Sequence, residues 1–263
     1  MRHIDEDTIT QAVIARHAAA GNPRLREVMT SLVQHLHAFA RDVKLTEAEW
    51  AEGVRFIAEC GRATVPGRPE VALLSHTLGL TALVTAVSQR KPKGCTEATV
   101  PYRSGPEQGE PCYVRGRVLA LDGAPIADAE VCMGQADGDK PCDVLRTGAD
   151  GCFSIKTAVA ASQPIAHDGP VGRLLHALGR HPWRPAHLHF TISASGYERL
   201  ATQVFRQGDP YLDADAVFGV RSSLVADWVR HEHGRTPDGQ TSAVPFTTLD
   251  FAFVLNAITG DKT

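Results

Sequence analysis

No stretch of this chain reaches the roughly 18 uninterrupted apolar residues that a membrane span requires, and the opening Met1-Arg2-His3-Ile4-Asp5-Glu6-Asp7 has no apolar core of the kind a secretory leader carries. An excess of positive charge is missing too. The 27 lysines and arginines stand against 30 acidic residues, and the formal charge of −3 gives no basic footprint for nucleic acid. The six cysteines, at 60, 95, 112, 132, 142 and 152, form no CxxC pair and no compact framework, so reduced thiols are expected. No internal repeat or low-complexity segment is evident. These absences point away from membrane and nucleic-acid partners and towards a cytoplasmic protein whose 263 residues can bury a substantial core.

Two periodicities divide the chain. Leu25, Val28, Leu32, Leu36, Phe39 and Val43 recur at the three-and-four spacing of an amphipathic helix. Thr46 and Glu49 then form a capping box ahead of Trp50, Val54 and Ile57, which marks a second helix. Residues 69–88 read as a third, interrupted at Gly79, and Arg90-Lys91-Pro92-Lys93-Gly94 reads as a polar, solvated hinge. Beyond it the pattern becomes β. Strands are expected over 113–121, from 152, over 187–193, 201–205 and 249–255, with Asp122-Gly123 and the 148–151 segment as turns and a short helix over 172–178. The fold class expected is mainly β, an antiparallel β-sandwich at 95–263 behind an N-terminal α-helical segment at 1–94.

Within the β region, Arg184-Pro185-Ala186-His187-Leu188-His189-Phe190 carries the most chemical information. Side chains alternate along a strand, so His187 and His189 share one face and Leu188 takes the other. Two adjacent imidazoles make half of a metal site, since imidazole suits zinc, copper, iron and nickel.

The surrounding motifs carry a family resemblance. Asp168-Gly169-Pro170-Val171-Gly172, Gly179-Arg180-His181-Pro182, the histidine run, Thr202-Gln203-Val204-Phe205, Tyr211-Leu212 and Asp215-Ala216-Val217-Phe218 together resemble the intradiol ring-cleavage dioxygenases. Arg41-Asp42-Val43, Leu45-Thr46-Glu47, Trp50 and Leu74-Ser75-His76-Thr77-Leu78-Gly79 are similar to the helical segment of the catechol and hydroxyquinol 1,2-dioxygenase branch. The resemblance runs from about residue 25 to about residue 255. It implies a homodimer built through the N-terminal helices, a catechol- or hydroxyquinol-like substrate, dioxygen, and a non-haem iron held by two tyrosines and two histidines.

His187 and His189 match the family's histidines, but both tyrosine positions differ. Counting without a gap places Cys142 at the first and Gln163 at the second, and the chain's four tyrosines, at 102, 113, 197 and 211, fit neither. Two phenolates are hard, negative donors that favour ferric iron. A thiolate at Cys142 is a soft donor that favours zinc, copper(I) or ferrous iron. His167, four residues past Gln163, is a further candidate ligand. By resemblance, Arg184 and Gln203 are catalytic, Arg184 beside the substrate ring to hold an anionic oxygen and Gln203 near the metal to orient a ligand or an oxygen species. Leu74, Thr77, Phe218 and Gly219 lie around the substrate pocket by the same resemblance, while His76 stands where the family has an aspartate.

Three functions remain open from the sequence. One is an oxygenase-type enzyme on a hydroxylated aromatic with a remodelled metal site of two histidines and no tyrosine. A second is another reaction in the same fold, with zinc, copper or ferrous iron as Lewis acid or water activator. The third is a non-catalytic binding protein or the inactive partner of a true dioxygenase subunit.

Overall fold

The computed structural model describes residues 4–17, 19–89, 91–99, 109–134 and 144–258. Its contacts divide the chain into two units, Met1–Ala58 and Glu59–Thr263.

In the first unit, α1 (Ile9–His17) packs on α2 (Pro23–Asp42). Asn22 caps α2 through its side-chain oxygen, which accepts from the Leu25 N–H, and Pro23 occupies the first turn, where no donor is needed. The Arg41 guanidinium ties the pair together by donating to Glu6 O and Thr10 Oγ1. The capping box opens α3 (Glu47–Ala63): the Thr46 N–H donates to Glu49 Oε2 at 2.9 Å and the Glu49 N–H to Thr46 Oγ1 at 3.3 Å. The apolar stripe of α2, from Leu25 to Val43, remains between 44% and 54% exposed in the single chain.

The second unit begins with the end of α3, followed by α4 (Glu70–Thr77) and α5 (Leu80–Ser88). Gly79 breaks them apart at φ 74°, a left-handed conformation that glycine adopts without a Cβ penalty. No single described helix is long and apolar enough to cross a membrane; α4 and α5 reach that composition only as a pair, across a 77° bend.

The strands follow as β1 (Pro111–Ala120), β2 (Glu130–Gly134), β3 (Val144–Arg146), β4 (Cys152–Ala158) and β5 (Gln163–Pro164). After α6 (Pro170–Ala177) come β6 (Trp183–Arg184), β7 (His187–Ser193), β8 (Leu200–Arg206) and β9 (Val225–Ala226). The chain closes through β10 (Trp228–His231), β11 (Gly234–Arg235), β12 (Thr241–Ser242) and β13 (Phe246–Leu255). Two sheets, β10-β13-β1-β4 and β3-β2-β7-β8-β9, form the sandwich. Its ladders are antiparallel except for β1–β13 and β8–β9.

Alternation supplies the core. Val114 and Val118 of β1, Leu249 and Phe253 of β13, and Leu188, Phe190 and Ile192 of β7 are buried in one cluster. Phe190 meets Phe253 of the other sheet with ring centroids 4.9 Å apart. Cys60, Cys95, Cys112 and Cys152 form no disulfide, but Cys132 is disulfide-bonded, which corrects the expectation of reduced thiols throughout. Linear spacing does not report which thiols folding brings together.

Gly116, opposite Phe153 in the β1–β4 ladder, leaves room for that ring: a Cβ there would lie 1.9 Å from Phe153 Cζ. Gly116→Ala should therefore lower stability by about 1–3 kcal/mol, the usual cost of overpacking. A reduced urea midpoint at unchanged m would show it; an unchanged midpoint would mean that the Phe153 ring relocates freely.

Candidate functional site

β7 is the middle strand of its sheet, with both faces covered. Leu188, Phe190 and Ile192 fill the inter-sheet core, so alternation turns His187 and His189 to the opposite face, where they are 7% and 5% exposed. In the neighbouring β8, Gln203 stands directly across from His189. The short β5–β6 ladder sets Gln163 across from Arg184. The segment before β7 is pinned by Asp209, whose Oδ2 accepts from the Ala186 N–H at 3.0 Å and from Ser162 Oγ at 2.6 Å.

Arg184 organises the site. It is 1% exposed and donates from Nε to Asp215 Oδ1 at 2.9 Å and from Nη2 to Asp215 Oδ2 at 3.1 Å. Nη2 also donates to Gln203 Oε1 at 3.0 Å, and Nη1 to His187 Nε2 at 3.3 Å. The Gly219 N–H donates to Asp215 Oδ2 at 2.8 Å, and a Cβ at Gly219 would come within 2.8 Å of Arg184 Nη2. Gly219 is thus packed against this network. His76 of α4 is also buried, and burial together with the nearby Arg184 charge depresses its pKa.

The state of His187 follows from its partners. A carbonyl only accepts, so Nδ1 donates its proton to Pro185 O at 2.8 Å, and Nε2 is left as an electron-pair donor. Burial first, and the Arg184 charge second, push its pKa down to about 3. Burial works the other way on Asp215, raising its pKa. The Arg184 charge and hydrogen bonds, with backbone donors from Gly219 and Val217, outweigh this and hold the carboxyl below the usual range.

The remaining sequence candidates are distributed around this centre. Thr77 is buried, and its carbonyl accepts from Arg180 Nη1 at 2.7 Å; Leu74 is half-buried on the same helix. Phe218 is 48% exposed, with φ 56° and the Arg180 guanidinium 4.8 Å above its ring. His167 binds the Ile165 carbonyl through Nδ1 at 3.0 Å. Cys142 lies outside the described residues, as does Tyr102. Asp215 is a site residue that the sequence pattern does not single out; its one signal is its place in the Asp215-Ala216-Val217-Phe218 motif.

The described donors do not by themselves complete the family's iron site. Among the described residues, no group of three or more His, Cys, Asp or Glu side chains could hold a metal ion. The described tyrosines are engaged elsewhere: Tyr113 on Phe246, Tyr197 in a bridge to Ala257, and Tyr211 stacked on Trp183. Two imidazoles without phenolates lack the hard, negative donors that ferric iron prefers. The described residues therefore support no reaction step through a tyrosinate-bound ferric centre.

Both buried groups make acid the destabilising direction. The folded pKa of His187 lies below its unfolded value, so the unfolded chain takes up the proton first and stability declines from about pH 6.5 towards 3. Asp215 contributes stability above its unfolded pKa, and this is lost as pH falls through the lower folded value. Urea midpoints of the metal-free protein should fall steadily below about pH 6.5, by at most about 1.4 kcal/mol per pH unit from His187. His187→Gln should flatten that limb, and an unchanged slope would mean that the imidazole is not held neutral. Asp215→Asn should cost about 3–5 kcal/mol at neutral pH, because it strands a buried guanidinium.

Comparison with known proteins agrees with this architecture. Residues 22–96 match the family model of the catechol dioxygenase N terminus, and residues 143–257 match the model described as dioxygenase. A 6-chlorohydroxyquinol 1,2-dioxygenase of Cupriavidus pinatubonensis is 49% identical over 97% of this chain and 99% of its own length. A hydroxyquinol 1,2-dioxygenase of Nocardioides simplex is 38% identical, covering 95% of each chain. The solved structure of hydroxyquinol 1,2-dioxygenase from Pseudomonas putida DLL-E4 superposes with a TM-score of 0.85 at 38% identity, covering 96% of this chain and 98% of that one. With both parts of the family pattern in order, and such similarity over nearly the whole length, the chain belongs to the intradiol ring-cleavage dioxygenases, in their catechol and hydroxyquinol 1,2-dioxygenase branch.

Proposed function

We propose that this protein is a dioxygenase-type oxidoreductase acting on a hydroxylated aromatic of the hydroxyquinol kind, with dioxygen, at a metal site rebuilt around His187 and His189. The relatives named as hydroxyquinol and 6-chlorohydroxyquinol 1,2-dioxygenases support the substrate class. The observation that carries the reading is the paired imidazoles on one buried face of β7, with His187 held neutral and its Nε2 lone pair free of a proton. A neutral imidazole is the form that ligates a metal.

In this reading Cys142 and Gln163 stand at the former tyrosine positions, and the described residues supply two imidazoles with no third His, Cys, Asp or Glu grouped with them. That donor set is softer than the family's and suits ferrous iron, zinc or copper. Arg184 is a positioning residue: bound to Asp215, Gln203 and His187 at once, it holds three elements in register beside the ligands. Leu74, Thr77 and Phe218 border the substrate, and the exposed apolar stripe of α2 forms a homodimer interface.

One observation favours a different reading. The Arg184 guanidinium donates to the Nε2 that a metal would use, as suits a binding protein or inactive partner subunit. Metal analysis of the tag-free protein separates the two. Stoichiometric metal, reduced at least about tenfold in His187→Ala and in His189→Ala, is the expected result. Unchanged content in either variant would remove the site, and absence of metal after loading with iron, zinc or copper would favour the binding protein. In the same preparation, Cys142→Tyr with Gln163→Tyr should develop ferric-tyrosinate absorption on iron loading. A folded, iron-loaded but colourless double variant would show that these two positions are not the former ligands.

A further inference from the structure

We propose that the cleft between Arg180 and Arg221 is a binding site for a small aromatic carboxylate; it shares Phe218 with the substrate border of the reading above but does not use His187 or His189. A cavity of about 450 Å³ opens there, within the range of small-molecule sites. Both guanidiniums line it, and each is half-buried. They are held in an unusual way. Arg180 donates to the carbonyls of Thr77 and Ala216 at 2.7 and 3.1 Å, and Arg221 to those of Phe218 and Val220 at 3.1 and 2.8 Å. Neither makes an ion pair with any described carboxylate. Carbonyl dipoles fix the two planes in place without cancelling their charge, and each guanidinium keeps donors beyond those two bonds.

The charge balance selects the ligand. Two acidic residues line the same cavity. Asp215 is neutralised by its paired hydrogen bonds from Arg184. Asp213 is exposed and makes no ion pair with a described residue. Two guanidiniums against Asp213 leave one net positive charge, which a monoanion balances. Planar forks match a carboxylate in two-point geometry. The rest of the wall suits an aromatic ring: Phe218 presents a ring that is 48% exposed, held on one side by Arg180, with Leu212 and Val220 alongside. His181 adds a donor, because its Nδ1 accepts from the Trp183 N–H at 3.2 Å and its remaining proton is therefore on Nε2.

The test is a ¹⁹F NMR titration of the full-length protein with 4-fluorobenzoate, using 4-fluorobenzyl alcohol as the neutral control. The acid should bind, the alcohol should not, and added salt should weaken binding. Arg221→Gln should weaken it about tenfold, the scale of a lost charge-assisted contact. Asp213→Asn should tighten it by a few-fold, about threefold for an exposed like charge. His189→Ala should leave it unchanged. Failure of the wild-type protein to bind the acid, equal affinity in Arg221→Gln, or loss of binding in His189→Ala would each overturn the proposal. Should Arg221→Gln fold poorly, the Asp213→Asn arm decides alone: its side chain is exposed, and absence of tightening refutes the site. No arm depends on turnover, so this inference and the proposed activity stand or fall separately.

Discussion

The pair formed by Arg184 and Asp215 is buried almost completely, with side chains 1% and 2% exposed. Removing two charges from water costs several kcal/mol per ion, and mutual attraction repays this only where the remaining donors and acceptors are also satisfied. Here they are met by Gln203 from β8, His187 from β7 and backbone N–H groups of the loop that carries Phe218 and Gly219. The cost of leaving any of them unmet is what holds β6, β7, β8 and that loop in one arrangement. Even the absence of a side chain at Gly219 belongs to this constraint, since a Cβ would press on the guanidinium.

The same pair sets the electrostatics of the candidate centre. Its positive member lies beside His187, so that imidazole stays neutral and its tautomer is dictated by the Pro185 carbonyl. The fold has thus set both strand histidines beside one polar frame of Arg184, Asp215 and Gln203. Fold membership and the identity of the metal are separate questions in this protein, because the sandwich has an apolar core built from its own strands.

Much of this was legible in the residues themselves. The α2 stripe, the capping box of α3, the break at Gly79 and the alternation of β7 all appear where the local pattern puts them, because each depends on neighbours within one or two turns or along one strand. The placement of His187 and His189 on a common buried face was equally readable from period two. The parallel pairing of β1 with β13 was not, as it joins segments more than a hundred residues apart, and neither was the disulfide at Cys132.

What the sequence determined by itself is local and compositional: helices before strands, an apolar core, and two histidines side by side on one strand face. What only the tertiary structure decided is who meets whom. Arg184 is readable from the sequence as a cation beside the substrate ring or as half of an ion pair, but only folding supplies its partner, an aspartate 31 residues away, and brings Arg180 and Arg221 to one cleft from separate segments. Burial and charge pairing are properties of the folded arrangement. They depend on which groups exclude water from one another, and no linear spacing records that.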